Sequence, residues 1–443
     1  MPRLQLITLG CSKNRVDSEH FLRLAEAGGC CIVPEGADPL ESLTDTIVLN
    51  TCGFIGDAKE ESVQAILEAA RLKGEGSLKR LFVMGCLAQR YRQELPGLIP
   101  EVDGWFGMNE IPRLLSEIGV QPNPALANRR FLTTPRHYAF LKISEGCDRR
   151  CSYCAIPLIR GPHRSVPVEA LVDEAASLAE SGVKELIVIA QDISCYGVDL
   201  YGRRSLRRLV DSLAEISGIE WIRLHYAYPD GFPEDILDAM AENPKVCKYL
   251  DIPLQHSEDA VLKAMRRNID GDRTRRLIEH IRSRVPSVAL RTTLMVGHPG
   301  EGDGEFARLL DFVRESRFER LGAFRYSEEE GTWGALNLED SIPEEVKQER
   351  YDALMELQSG ISLECNEARI GTVERILVDA FSDGVLTARS QYESPEVDGE
   401  ILIGDAASLE KLGGASAKNP SIGEFIDVKI VSAGEYDLIA EAL

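Results

Sequence analysis

Three cysteines stand close together in Cys147-Asp-Arg-Arg-Cys151-Ser-Tyr-Cys154, directly after an apolar run at 138–143. Thiolates at this C-x3-C-x2-C spacing can hold three irons of a [4Fe–4S] cube and leave the fourth iron without a protein ligand. An iron left open can take the amino and carboxylate groups of S-adenosylmethionine (SAM). One electron then cleaves the sulfonium and releases a 5′-deoxyadenosyl radical, chemistry carried by the cofactor rather than by side chains. Tyr153, beside the last cysteine, and Gly146 add to the match. A zinc site, normally built with four ligands, is the alternative reading, with a chance cluster behind it.

A second set of cysteines shows only through the elements around it. Candidate strands at 4–9, 46–50 and 81–84 are each followed at once by a cysteine, in Leu-Gly-Cys11-Ser-Lys-Asn, Asn-Thr-Cys52-Gly-Phe and Met-Gly-Cys86-Leu-Ala. Helical patterns follow at 18–27, 58–73 and 89–95. If the strands are parallel, Cys11, Cys52 and Cys86 emerge on one edge, the crevice where open α/β sheets bind ligands. That edge suits a second three-cysteine cluster; small residues chosen for tight strand-to-helix turns are the other reading. Cys30, Cys31, Cys195, Cys247 and Cys365 read as small hydrophobes packed in cores.

The elements that must position these thiols fall into three regions. The first third is an N-terminal open parallel α/β domain, taken as residues 1–125. In the middle, strands at 138–144, 185–190, 221–225, 249–253, 288–296 and 320–325 alternate with helical patterns at 168–181, 206–217, 233–242 and 273–284. Six βα units imply a parallel sheet covered by helices, a partial (β/α)6 TIM-like barrel over 133–365 with its active edge at the C-terminal strand ends. Short β patterns at 373–380, 385–389, 400–403, 425–432 and 436–441 then suggest a small antiparallel β-barrel, OB-like, over 366–443.

Composition narrows the partners. The 443-residue chain carries a formal net charge of −22, which repels phosphate backbones and disfavours nucleic-acid binding. From Asn366 onward fifteen acidic residues stand against six basic ones. That face could dock a basic protein, with Glu393, Glu396, Asp398 and Glu400 in the docking segment, or be a solvated surface without a partner. No apolar run approaches a membrane span, and the start Met-Pro-Arg-Leu-Gln-Leu-Ile-Thr lacks the layout of a secretion signal. The expectation is a cytoplasmic protein with no membrane, whose eleven cysteines are ligands or free thiols rather than disulfides.

Nearly end to end, the chain resembles the radical-SAM methylthiotransferase family, which has an N-terminal cluster domain, a radical-SAM barrel and a C-terminal TRAM barrel. The resemblance rests on Gly10-Cys11-Ser12-Lys13-Asn14-Arg15-Val16-Asp17-Ser18-Glu19, Asn50-Thr51-Cys52-Gly53-Phe54-Ile55, Ala190-Gln191-Asp192, Tyr249-Leu250-Asp251-Ile252-Pro253-Leu254-Gln255-His256, Arg291-Thr292-Thr293-Leu294-Met295-Val296-Gly297 and Tyr326-Ser327-Glu328-Glu329-Glu330-Gly331-Thr332. Two places depart from the family pattern: His298 stands where an aromatic is expected before Pro299-Gly300-Glu301, and no Gly-Gly-Glu follows the second barrel strand. The chain is most similar to the ribosomal-protein branch, which methylthiolates the β-carbon of one aspartate in protein S-twelve of the small ribosomal subunit.

The resemblance implies two [4Fe–4S] clusters, a SAM-cleaving one on Cys147, Cys151 and Cys154 and an auxiliary one on Cys11, Cys52 and Cys86. It implies two equivalents of SAM, one methylating a sulfur species and one cleaved to the radical. Tyr153, Gln191, Gln255, Arg291, Thr293 and Gly297 are the expected SAM-binding residues, and flavodoxin or ferredoxin the kind of electron donor. A tRNA adenosine as substrate, the family's other large branch, and a non-catalytic iron–sulfur or zinc protein that binds ribosomes are the competing readings.

Overall fold

Alternation of apolar strands with helices builds two parallel sheets, each aiming its C-terminal strand ends at the other. The computed structural model describes residues 2–121, 123–126, 128–404 and 421–443. Strands β1 (Arg3–Thr8), β2 (Cys31–Val33), β3 (Thr46–Thr51), β4 (Arg80–Gly85) and β5 (Gly104–Phe106) form a five-stranded sheet in the order β2-β1-β3-β4-β5. All of its pairings are parallel. Side chains alternate between its faces. Leu4, Leu6, Val48 and Phe82 meet Phe21 and Leu22 of helix α1 (Ser12–Ala27), whereas Ile47, Leu49, Leu81 and Val83 meet Ile66 and Ala69 of α2 (Gly56–Gly74).

The central region continues with β6 (Tyr138–Lys142), a ribbon of β7 (Ser144–Glu145) on β8 (Arg164–Ser165), then β9 (Glu185–Ile189), β10 (Trp221–Leu224), β11 (Val246–Asp251), β12 (Ala289–Val296) and β13 (Arg320–Arg325). Six of these make a parallel sheet in the order β13-β12-β11-β10-β9-β6, the partial (β/α)6 barrel expected. Its inner face at β6 and β9 is occupied by the first domain: Val16 of α1 packs on Tyr138, Phe140, Ile187 and Ile189. A long helix, Glu344–Glu367, that the sequence reading did not anticipate lies against β13 and seats Leu354 and Ile361 in the barrel core.

Strands β14 (Val373–Ser382), β15 (Val385–Ser390), β16 (Ile401–Ile403), β17 (Phe425–Ala433) and β18 (Leu438–Ala442) close a barrel in the order β14-β15-β16-β18-β17. Its pairings are antiparallel except β16 with β18, which is parallel and closes the small barrel. Among the described residues no helix is long and apolar enough to cross a membrane. Cys31 is exposed at the edge of the first sheet, contrary to the core position expected for it, while Cys30 and Cys247 are buried.

The acidic segment after β15 is not a free surface. Arg320 binds Glu393 at 3.1 Å and Arg369 binds it from the other side. Tyr138 donates to Glu396 at 2.9 Å, and Arg291 Nε lies 3.5 Å from Asp398. Arg389 reaches Glu185 at 2.9 Å, and Arg223 donates to the carbonyls of Ser390 and Gln391. Residues 389–398 thus floor the barrel at the N-terminal ends of its strands. This corrects the docking role expected for Glu393 and Asp398, whose charges are already answered inside the chain, while Glu396 and Glu400 stay exposed. Other exposed acids of the small barrel are Glu424, Asp427, Glu435, Asp437 and Glu441.

Burial would raise the Glu393 carboxyl, but Arg369 and Arg320 outweigh it and hold it at about 2. A glutamate in an unfolded chain titrates at roughly 4.3. These ion pairs therefore stabilise the fold fully above that value, and their contribution is lost as pH falls through it towards 2. Glu393→Gln should cost about 3–5 kcal/mol, as when one partner of a buried pair is removed. The expected result is a lower urea midpoint at neutral pH, with parent and variant converging as pH drops from about 5 to about 3. An unchanged midpoint at neutral pH would show that the floor does not depend on this pair.

Candidate active site between two cysteine sets

The three N-terminal cysteines sit where parallel strands end. Cys52 follows β3 and Cys86 follows β4 directly, while Cys11 comes three residues after β1 and caps α1. Asn14, fully buried in the first turn of α1, ties the three loops together. Its Nδ2 donates to Leu9 O at 2.9 Å and Thr51 O at 3.1 Å, and its Oδ1 lies 3.7 Å from Cys86 Sγ. Asn50 donates back to Asn14 O at 2.8 Å. The loops approach so closely that a Cβ on Gly10, at φ +88°, would stand 2.6 Å from Cys52 Cβ. Burial pushes the Cys52 thiol up to about 11, with Cys86 and Cys11 adding to the rise, and raises Cys86 as well. Cys52 and Cys86 are buried and Cys11 is exposed beside them, and thiols that oppose one another's ionisation suit a bound cation better than three independent core cysteines.

The second set hangs on the loop between β7 and β8. Cys147 N donates to Gly161 O at 3.1 Å, and a Cβ on Gly146, at φ +78°, would strike Pro162 O at 2.2 Å. Farther along, Ser152 N donates to Met265 O at 3.0 Å and Gly334 N to Ser152 O at 2.7 Å. Burial lifts Cys147 to about 12 and raises Cys154 further, where Cys151 adds repulsion. Tyr228, which the sequence reading missed, lies with its hydroxyl 3.8 Å from Cys151 Sγ. Arg149 and Arg267 face its ring at 3.9 and 4.4 Å. Its only sequence signal is position, four residues beyond the end of β10. Cys195 is turned to Arg149 and Asp192 rather than into a core.

Arg160 joins the two sets. It ends the helix Ile156–Arg160 behind Cys154 and is almost wholly buried. Its guanidinium donates to Asn14 Oδ1 at 2.5 Å, Cys86 Sγ at 3.4 Å and Glu145 at 2.8 Å, with Asp17 at 3.4 Å. Lys142 completes the cluster against Asp17 and Glu145. A second tie runs through Glu329, held by Arg90 at 2.7 Å and Lys59 at 2.8 Å.

Of the residues expected near SAM, Tyr153, Gln255 and Thr293 line one cavity of about 730 Å³ with Met295, Tyr326 and Phe54. Gln255 is held at φ +73°, with its backbone bonded to Thr293 and Met295. Gln191 lies off that cavity, donating to Glu145 at 2.9 Å, with its Oε1 buried and unpartnered. Arg291 and Gly297 stand away from it. Asp251 holds Arg291 at 3.2 Å from one side and Asp398 approaches from the other. Gly297, at φ +74°, makes room for Lys347, which a Cβ would strike at 2.3 Å. His298 keeps an aromatic's place: burial holds it neutral at about 4, and its ring meets Tyr326 and Tyr153 edge-on.

Comparison with known proteins agrees with this layout. The chain matches models of the uncharacterized protein family UPF0004 at 3–107, the Radical SAM superfamily at 141–313 and the TRAM domain at 370–443. It is 50% identical over 441 residues to the ribosomal protein uS12 methylthiotransferase RimO of Bacteroides thetaiotaomicron, covering 100% of this chain and 98% of that one. The RimO of Porphyromonas gingivalis is 50% identical over 438 residues, covering 99% and 98%. The chain belongs to the RimO family. The fold of this RimO-family chain is also that of the radical S-adenosylmethionine methyltransferase TsrM of Kitasatospora setae, with TM-score 0.56, 15% identity and coverage of 94% and 80%. It is shared too with the cobalamin-dependent S-adenosylmethionine radical enzyme OxsB, with TM-score 0.52, 14% identity and coverage of 82% and 56%.

Asn14→Ala tests the clasp. It strands the carbonyls of Leu9 and Thr51 in a buried site, at about 1–3 kcal/mol for each group left unsatisfied. Amide exchange should accelerate in the loops at 9–11 and 51–53 while the barrel strands keep their protection. Uniform acceleration would mean that Asn14 supports the whole fold rather than the cysteine loops.

Proposed function

We propose that this chain is a radical-SAM methylthiotransferase that adds a methylthio group to the β-carbon of an aspartate in small-subunit ribosomal protein S-twelve (uS12). The observation that carries this reading is full-length similarity near 50% to curated RimO proteins. The two cysteine sets joined across one interface support it. A [4Fe–4S] cluster with an open iron supplies SAM binding and the electron that cleaves its sulfonium. On this reading Cys147, Cys151 and Cys154 hold the SAM-cleaving cluster, and Cys11, Cys52 and Cys86 hold an auxiliary one. Arg160 sets positive charge beside Cys86, and Tyr153, Gln255 and Thr293 bound the SAM cavity. Substrate C–H would be exchanged for C–SCH3, with the sulfur drawn from supplied sulfide. One SAM gives its methyl to that sulfur and leaves S-adenosylhomocysteine. The other, cleaved by one electron to methionine and the 5′-deoxyadenosyl radical, takes the hydrogen as 5′-deoxyadenosine, the electron being returned when the C–S bond forms.

Residues 1–125, 133–365 and 366–443 then divide the work between auxiliary cluster, radical chemistry and docking. Glu424, Asp427, Glu435 and Glu441 offer a basic ribosomal protein a complementary face that raises the on-rate and weakens with salt. Such a substrate places the enzyme in the cytoplasm, and a small carrier such as flavodoxin or ferredoxin would deliver the electron.

Two measurements test the reading. Anaerobically reconstituted protein should hold about eight irons, four per cubane, and the combined Cys147→Ala, Cys151→Ala and Cys154→Ala variant should keep about half. Loss of all iron would remove the auxiliary cluster as an independent site. Incubation with uS12, SAM and reductant should add one SCH2 to an aspartate by mass spectrometry and yield 5′-deoxyadenosine. Modification of a tRNA adenosine instead would move the chain to the other branch.

A further inference from the structure

Lys13 is a largely covered lysine whose ammonium has no anion beside it. Its residue is 8% exposed, and among the described residues it has neither an ion pair nor a hydrogen bond. Lys142 and Lys347, also largely buried, each hold two carboxylates. The Lys13 ammonium instead lies 3.1 Å from the centroid of the Tyr226 ring. An ammonium with only an aromatic face for company has its hydrogen-bond donors free for an arriving anion.

Its partner carries a second signal. Tyr226 has φ +65°, a conformation that bulky non-glycine residues rarely adopt. The strain is imposed from both sides, by Asp251 accepting from its N–H at 3.2 Å and by Ile193 donating to its carbonyl at 3.1 Å. Strain of this kind collects at ligand-holding positions. The ring is only partly buried, so the pair borders open space.

The pair also joins the two segments that carry the cysteine sets or their neighbours. Lys13 is two residues from Cys11, and Tyr226 is two residues from Tyr228, whose hydroxyl approaches Cys151. We propose that Lys13, seated on Tyr226, is the binding site for the carboxylate of the substrate side chain, and that it selects an aspartate over an uncharged residue. The carboxylate is bound and not altered; binding places the adjacent carbon between the two thiol sets. This inference rests on reading the interface as the methylthiotransfer site. The SAM carboxylate is the other possible source of the same chemistry. The cavity lined by Tyr153, Gln255 and Thr293 is not lined by Lys13, which favours the substrate.

The test uses the full-length reconstituted enzyme and two labelled peptides, one carrying the target aspartate and one carrying asparagine in its place. The unaltered enzyme should bind the aspartate peptide about tenfold more tightly or better, the expectation for a hydrogen bond to a charged group. Lys13→Met should erase that preference and leave SAM affinity and iron content intact, while Lys13→Arg should keep much of it. Equal affinity of the unaltered enzyme for both peptides overturns the proposal, without any variant having to fold. A preference that survives Lys13→Met overturns it too, as does loss of SAM affinity with peptide binding unchanged. If the aspartate preference and its dependence on Lys13 hold but no SCH2 is transferred, the carboxylate site stands and the functional reading fails.

Discussion

The guanidinium of Arg160 is the interaction on which the arrangement turns. One planar cation contacts Asn14, Cys86, Asp17 and Glu145, and so fixes the loop of one cysteine set against the helix that follows the other. An almost fully buried arginine is tolerated because its donors meet a carboxamide, a thiol and two carboxylates in a fork that lysine could not reproduce. Desolvation works against it, yet its neighbours hold it well above the ordinary arginine range, led by Cys86, Glu145 and Asp17. Removing it would leave Asp17 with Lys142 alone and Glu145 with only Lys142 and Gln191.

From that contact the rest of the architecture follows. Parallel strands put cysteines at the C-terminal edge of each sheet, and the two edges must then be turned towards each other. Val16 enters the inner face of the partial barrel, Glu329 takes Arg90 and Lys59, and Arg130 bridges Glu19 and Glu174. The opposite end of the barrel is closed by residues 389–398 of the third region. The juxtaposition of the two cysteine sets is thus a product of contacts between regions, none of which is contained in a single domain.

The three-region layout and the placing of Cys11, Cys52 and Cys86 just after parallel strands were legible in the sequence, because both depend on local spacing. What stayed hidden depends on partners far away in the chain. The helix Glu344–Glu367 buries Lys347, Arg350, Gln358, Ser362 and Asn366 along with Leu354 and Ile361, so its inward face carries no apolar period to detect. Glu393 and Asp398 read as surface charges because nothing nearby in sequence reveals Arg320 or Arg291. Arg291 read as a SAM contact for the same reason, and Asn14 was not singled out, since its clasp on three loops depends on Thr51 and Cys86 far along the chain. His298 was a departure from a family pattern until its packing on Tyr326 showed that an aromatic surface had been kept.

The central claim is that two separate three-cysteine sites, one on each sheet, open onto the same cleft. Anomalous diffraction at the iron edge from crystals of anaerobically reconstituted enzyme tests it most directly. The account predicts two iron centres on opposite walls of that cleft, one at Cys11, Cys52 and Cys86 and one at Cys147, Cys151 and Cys154. A single centre at the second set, with reduced and unligated thiols at the first, would contradict it.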